Sequence, residues 1–286
     1  MAMRHDSYLG LSPHGFHRVA YVEWGARENP KVLVCVHGLT RNARDFDFVG
    51  LALERDYRVI AVDVAGRGRS DWLDAAEDYT TAQYCADMAA LIARLDVPQV
   101  DWLGTSMGGM IGMALAAQAG APIRRLVLND IGPFIPKAAL ARIAGYIGER
   151  PVFDDLNAAT RSLGALYDEF GPMSWEEKQH LTEHSVKVRR DDGKLILRRD
   201  PKIADAFLAT PPADIDLWPL WDAIRCPVLL LRGSKSDLLL AETAAEMAQR
   251  GPGARVVEFV EAGHAPKLME GDQIGVVCEW LLAETV

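Results

Sequence analysis

Short, wholly apolar runs alternate with amphipathic stretches along this chain, and that rhythm restricts its fold more than any other feature. Val32–Val36 reads VLVCV and Arg58–Val62 reads RVIAV. A strand with one wet face alternates apolar and polar residues, whereas an unbroken apolar run suits a strand covered on both faces, as in a parallel sheet between helix layers. Val100–Leu103, Leu126–Leu128, Val228–Leu231 and Ala254–Val260 read the same way. Helical patterns fall between them. Thr80 precedes Gln83 by three residues, a capping signal, and Tyr84, Met88, Leu91 and Leu95 then recur at helical spacing. Leu240–Arg250 stops at Gly251–Pro252, and Asp272 is placed to cap a last helix whose Ile274, Val277, Cys278 and Leu281 share one face. Strands alternating with helices predict an α/β fold built on a mostly parallel sheet.

From Ile131 to about Leu220 the rhythm lapses. Buried-strand runs give way to helical segments with scattered aromatics, among them Phe134, Tyr146, Phe153, Tyr167, Phe170, Trp175, Trp218 and Trp221. A hairpin is expected at Val186–Arg190 and Leu195–Arg199 around Asp192–Gly193. After Pro227 the strand–helix alternation resumes. The expected organisation is one core, residues 1–130 and 221–286, interrupted by a mainly helical cap, 131–220.

Charge and composition exclude several classes. The 286 residues carry a net charge of −9, which disfavours a nucleic-acid partner. Two basic pairs, Arg189–Arg190 and Arg198–Arg199, flank the Asp192–Gly193 turn and read as the solvated surface of the hairpin. Cys35, Cys85, Cys226 and Cys278 are far apart, with no C-x-x-C, and suit buried reduced thiols. No apolar stretch approaches the length of a membrane span, and Met1–Gly15 has no apolar leader core. A cytoplasmic protein with no membrane partner is expected.

The chemistry centres on Gly104-Thr-Ser106-Met-Gly108, a G-x-S-x-G that follows an apolar strand and opens a helical run. A sharp strand-to-helix turn pushes Ser106 outward and forces its neighbours together, and Gly104 and Gly108 avoid the resulting Cβ clashes. The helix start also places partial positive charge where an oxyanion develops. Serine needs a base at neutral pH. His264, in Val260-Glu-Ala-Gly-His264, follows the last strand and can be carried over the strand ends. The third member should be a carboxylate at a strand end. Asp237 falls between serine and histidine in chain order, just past the Val228–Leu231 strand, and is the favoured candidate; Asp130, after Leu126–Leu128, is its competitor. His37-Gly38-Leu39 follows the Val32–Val36 strand. The backbone N–H of Leu39, with that of Met107, is expected to form a two-donor oxyanion hole, and His37 to support the loop rather than act as base. Gly38 belongs to the same support. Asp63–Ser70 is Gly-rich but lacks both the P-loop and the G-x-G-x-x-G pattern, so a tight turn beside the site is expected. Arg41 and Arg44 read as a solvated helix start. No His, Asp or Cys cluster shows metal-ligand spacing, so neither metal nor cofactor is expected.

Together these residues resemble the α/β-hydrolase superfamily. His37-Gly38, the Asp63–Ser70 turn, the bend at Ser106, Ser236-Asp237 and Gly263-His264 occur in its order, over about Tyr21 to Leu282. The chain looks most similar to bacterial carboxylesterase-like members in His37-Gly-Leu-Thr-Arg-Asn, Leu128-Asn-Asp-Ile-Gly-Pro133 and Gly263-His-Ala-Pro266. The resemblance implies an eight-stranded, mostly parallel sheet, a helical cap over Ser106 and ester hydrolysis without a cofactor; some relatives of this kind act on polyesters. The expected partner is a small-molecule ester with an apolar acyl or alcohol part. The same residues also suit carbon–carbon bond, lactone, perhydrolase or acyl-transfer chemistry, and a ligand-binding member of the fold could retain them.

Overall fold

The computed structural model describes residues 3–283. The expected core bounds, 1–130 and 221–286, run into residues 1–2 and 284–286, which lie outside the described residues. Along the chain come β1 (Arg4–Ser12), β2 (Gly15–Trp24), β3 (Val32–Val36), α1 (Asp47–Leu53), β4 (Arg58–Val62), α2 (Thr81–Leu95), β5 (Val100–Thr105), α3 (Met107–Ala116) and β6 (Ile123–Asn129). An inserted stretch follows: β7 (Phe134–Ile135), α4 (Lys137–Ile147), β8 (Val152–Phe153), α5 (Leu156–Tyr167), α6 (Trp175–Ser185), β9 (Val186–Val188), β10 (Leu195–Leu197), α7 (Lys202–Leu208), β11 (Ile215–Asp216) and α8 (Trp218–Ala223). The alternation then resumes with β12 (Val228–Gly233), α9 (Ala241–Met247), β13 (Arg255–Phe259) and α10 (Gly271–Leu282).

Eight strands form one sheet in the order β1-β2-β4-β3-β5-β6-β12-β13. The six strands from β4 to β13 in that order pair in parallel. The apolar runs explain themselves in the packing. Val32, Val34 and Val36 of β3 point into one hydrophobic layer with Met88, Leu91 and Ile111, while Leu33 and Cys35 point into the other with Leu53 and Val277. All five β3 residues are buried, and each fully buried side chain of this size contributes roughly 1.5–3 kcal/mol. The reversal of strand order between β3 and β5 opens a crevice at the carboxyl ends of the central strands, where ligands bind in open α/β sheets.

The hairpin β1–β2 joins the sheet edge, its residues pairing from Arg4↔Glu23 to Ser12↔Gly15. One local expectation needs correction. Asp272 does not cap the last helix. Helix α10 starts at Gly271 after Glu270, so Asp272 lies inside the first turn and accepts from the Gln273 N–H at 2.8 Å. By contrast, the Thr80 hydroxyl accepts from the Gln83 N–H at 3.1 Å as a cap. Among the described residues no helix is long and apolar enough to cross a membrane. The four cysteines are free, with Cys35 buried and Cys85, Cys226 and Cys278 half-buried.

Candidate active site

Ser106 sits between β5 and α3 with φ 51° and ψ −115°. This is a conformation that L residues seldom adopt, and the crowding around it explains why it persists. A Cβ on Gly104 would lie 2.3 Å from the Gly108 carbonyl oxygen, and one on Gly108 would lie 1.9 Å from the Val36 carbonyl oxygen. Only glycine lets the start of α3 press against the ends of β5 and β3. The Ser106 N–H donates to the Asn129 carbonyl at 3.0 Å, fixing the bend to β6.

His264 lies in the loop after β13. Its Nε2 is 2.9 Å from Ser106 Oγ, so the hydroxyl and the imidazole that the sequence placed far apart meet within bonding distance. The loop is anchored on both sides: the Gly263 N–H donates to the Glu169 carbonyl at 2.9 Å, and Asn129 Nδ2 donates to the Pro266 carbonyl at 2.9 Å.

The carboxylate on the far side of the imidazole is Asp130, the competitor, and not Asp237. His264 Nδ1 is 2.7 Å from Asp130 Oδ2. Asp130 is fully buried at the end of β6, with φ 56°. Its Oδ1 accepts from the Gly233 N–H at 2.8 Å and its Oδ2 from the Ser236 hydroxyl at 2.5 Å. Both oxygens of this buried carboxyl group therefore have hydrogen-bond partners. The turn after β12 therefore takes part through Ser236, which accepts in turn from the Leu239 N–H at 3.0 Å. The next residue, Asp237, points outward. Its side chain is 47% exposed and is held by Arg142 at 2.6 and 2.8 Å. Partial burial raises the Asp237 carboxyl pKa, but the Arg142 hydrogen bonds and charge, with a weaker pull from His264, bring it below its ordinary value. Chain order misled here because two neighbouring strands are each followed by an aspartate, Asp130 directly after β6 and Asp237 in the turn after β12.

His37 is buried and turned to the backbone. Its Nδ1 is 2.7 Å from the Gly38 carbonyl, and its Nε2 accepts from the Val64 N–H at 3.0 Å. Burial, with nearby Arg67 and Arg41, pulls its pKa down to about 3 against the raising effect of the Gly38 bond, so the ring is neutral. A Cβ on Gly38 would be 3.6 Å from Ser106 Cβ, which places this loop directly over the serine.

Sequence reasoning missed Arg67, in the Asp63–Ser70 turn. It is fully buried and donates to the carbonyls of Leu39 at 3.0 Å and Ala65 at 2.8 Å and to the Tyr84 hydroxyl at 2.9 Å. Asp63 closes the same turn, accepting from the Ala43 and Arg69 N–H groups at 2.8 Å each. The density of glycines marked a turn but carried no sign that a guanidinium would fold beneath it.

A cavity of about 140 Å³ opens above Ser106 and His264. Leu39, Ile143, Tyr146, Leu163, Tyr167 and Phe170 give it an apolar wall. The aromatics of the inserted stretch thus divide: Phe153 and Trp221 are buried in hydrophobic clusters, while Tyr146, Tyr167 and Phe170 face the cavity. Arg41, Arg198 and Arg199 also line it, which corrects three expectations of solvated arginines. Arg41 is only 9% exposed; it pairs with Asp45 at 2.9 and 2.6 Å and lies over the Tyr167 ring at 4.9 Å. Arg44 is committed to Asp47 at 2.7 Å.

One cluster of ligand-type side chains forms that spacing alone did not reveal. Asp47, His180 and His184 bring ligand atoms within 4.8 Å of one another. His180 and His184 share a face of α6 at helical spacing. Asp47 is already the partner of Arg44, and burial, with the charges of Arg44 and His180, pulls the His184 pKa down to about 3, so its ring is neutral.

A strand-end serine on a strained bend, joined through a histidine to a buried carboxylate over a parallel sheet, is the architecture of an α/β hydrolase. A family profile described as the alpha/beta hydrolase fold matches residues 31–270, so this chain belongs to that family and is a hydrolase. Over 273 residues it is 46% identical to the 3-hydroxybutyrate-oligomer hydrolase of Cupriavidus necator, with 93% of each chain covered. Two solved structures are similar throughout: a Rickettsia typhi protein with TM-score 0.91 and 34% identity, covering 100% of both chains, and an alpha/beta hydrolase of Novosphingobium aromaticivorans with TM-score 0.86 and 36% identity, covering 98% and 99%.

Proposed function

We propose that this chain hydrolyses the ester bonds of short oligoesters of hydroxy acids, such as 3-hydroxybutyrate, through an acyl-enzyme on Ser106. The enzyme is an ester hydrolase, and the residue roles and the substrate follow from its site. The observation that carries it is the unbroken line of hydrogen bonds from Ser106 through His264 to Asp130, lying at the floor of the cavity. The 46% identity to an oligomer hydrolase across 93% of the chain supports the substrate class.

The steps follow from which atom holds each proton. Ser106 Oγ attacks the ester carbonyl as His264 Nε2 takes its proton, and the charge that develops on the imidazolium is offset by Asp130 at Nδ1. The carbonyl oxygen becomes an oxyanion between the backbone N–H groups of Leu39 and Met107. One such donor contributes about 3 kcal/mol in the transition state. His264 then passes its proton to the leaving alkoxide oxygen, which departs as the alcohol. Water enters and attacks the acyl carbon as its proton passes to the same His264, which returns that proton to Ser106 Oγ as the acid leaves. Neutral His37 cannot compete as a base, since both ring nitrogens are held by the backbone. The inserted stretch 131–220 acts as the cap, with Tyr146, Tyr167 and Phe170 against the aliphatic part of the substrate.

The test is turnover of 3-hydroxybutyrate dimer and trimer, with covalent labelling by a serine-reactive phosphonate. Ser106→Ala should lower kcat by about 10⁶-fold and abolish labelling. Retention of turnover and labelling by a folded Ser106→Ala protein would remove the proposal.

A further inference from the structure

The charges around the cavity do not balance, and the imbalance has an address. Asp45 is bound by Arg41, and Glu169 by Arg142 at 3.0 and 2.8 Å. Arg198, Arg199 and a single acid, Glu149, remain. Arg198 Nε donates to the Val186 carbonyl at 3.0 Å, and Arg199 Nη2 to the Ile147 carbonyl at 3.0 Å. Among the described residues no carboxylate forms an ion pair with Arg199. Its guanidinium is nevertheless half-buried; burial and the charges of Arg67 and Arg41 act against the cation, and Tyr146 and Glu149 offset them only in part. A partly desolvated cation next to other cations is costly unless an anion joins it, and charge-assisted pairs of guanidinium with carboxylate are among the stronger hydrogen bonds.

The backbone beneath Arg199 is fastened to the sheet domain. Arg199 and Arg67 form an isolated antiparallel bridge. The Gly68 N–H donates to the Arg198 carbonyl at 3.2 Å and the Asp200 N–H to the Gly66 carbonyl at 2.8 Å. Buried Asp200 also accepts from the Tyr79 hydroxyl at 2.6 Å. Arg199 is therefore presented from a fixed point to the cavity that Tyr146 and Ser106 also line.

We propose that Arg199 receives a free carboxylate of the substrate, with Arg198 alongside, so that the enzyme selects esters bearing an acid group a few bonds from the scissile carbonyl. This rests on ester cleavage at Ser106. An arginine whose job was only to bond the Ile147 carbonyl at the end of α4 would have no reason to distinguish acids from neutral esters, and the experiment uses that difference.

The probes are 3-(butanoyloxy)butanoate and its primary amide, which share the scissile ester and differ in the acid group. Butyrate release gives kcat/KM for each. The parent enzyme should prefer the acid by about tenfold or more, mainly through KM; Arg199→Met should erase the preference and Arg199→Lys should restore part of it. A parent preference near unity, or an unchanged preference in Arg199→Met, overturns the proposal. A second arm needs no turnover. On Ser106→Ala protein, calorimetry should show the acid binding about tenfold tighter than the amide, with the difference gone in the Ser106→Ala, Arg199→Met double variant. Equal binding of acid and amide overturns the carboxylate site even if Ser106 proves catalytic; absence of turnover with the binding preference intact faults the Ser106 chemistry and leaves the site standing.

Discussion

Two neighbouring strands are followed by aspartates that live in opposite environments. Strands β6 and β12 pair from Leu126↔Val228 to Asn129↔Leu231, and each leads into a turn carrying a carboxylate. Asp130 follows β6 directly, is fully buried and meets His264 at 2.7 Å. Asp237 lies a few residues beyond β12, is about half exposed and meets Arg142 instead. What separates them is the direction of the turn. After β12 the chain curls so that the Ser236 hydroxyl, and not the Asp237 carboxylate, faces the imidazole's side; the bond from Ser236 to Asp130 fixes that curl. The comparison teaches that the partner of the histidine is chosen by burial and backbone direction, and that order along the chain is a weaker guide.

The sharpest way to break the comparison is to neutralise each acid in turn. Asp130→Asn keeps the shape but removes the anion and its acceptor for Nδ1–H, and kcat on an oligoester should fall by about 10⁴-fold. Asp237→Asn should stay within about threefold, because only a surface ion pair is lost. The reverse ranking would return the role to Asp237. Ser236→Ala, measured by the same assay, should cost about tenfold, since Asp130 loses one donor while keeping the Gly233 N–H. An unaltered kcat would mean that the hydroxyl does not hold Asp130 in place.

The smallest expected effect concerns acid stability. Asp237 has a folded pKa below its ordinary 3.8, owing, against partial burial, to Arg142. A carboxyl with a depressed folded pKa contributes stability above the unfolded value and loses it as pH falls through the folded one. The Tm of the parent should therefore exceed that of Asp237→Asn slightly at neutral pH, and the gap should narrow as pH falls below about 3.8, where the unfolded carboxyl protonates, and be lost once the folded carboxyl is protonated too. A gap that does not narrow below that pH would assign the difference to something other than this ion pair.

Much of the site was legible because its signals are local. An unbroken apolar run announces a strand with two covered faces, and Gly104 and Gly108 around Ser106 announce a bend too tight for side chains, whatever lies elsewhere in the chain. The position of His264 after the last strand follows from topology. The choice between Asp130 and Asp237 depended on a turn whose direction is settled by a hydroxyl more than a hundred residues away from the aspartate it bonds, and no local pattern encodes that. Arg198 and Arg199 were misread for a related reason. Beside an Asp-Gly turn they look like the wet end of a hairpin, yet the turn is only its tip; the pair lies at the opposite end, where the chain crosses to Gly66 and Gly68 and faces the cavity. Asp272 failed as a cap because the helix begins two residues earlier than its acid suggests.

Arg67 carries a mechanical consequence. Its guanidinium ties the carbonyl of Leu39, the backbone at Ala65 and the phenol of Tyr84 into one knot below the serine, and it is sealed from water. The floor of the reaction chamber is thus bolted from underneath to α2 by bonds that use none of the roof aromatics Tyr146, Tyr167 and Phe170, while its own turn also holds the backbone of Arg198–Asp200. Swapping or reshaping the roof to admit other esters should leave the bolted floor in register, which makes the roof the natural place to retune this enzyme and the knot the place to leave alone.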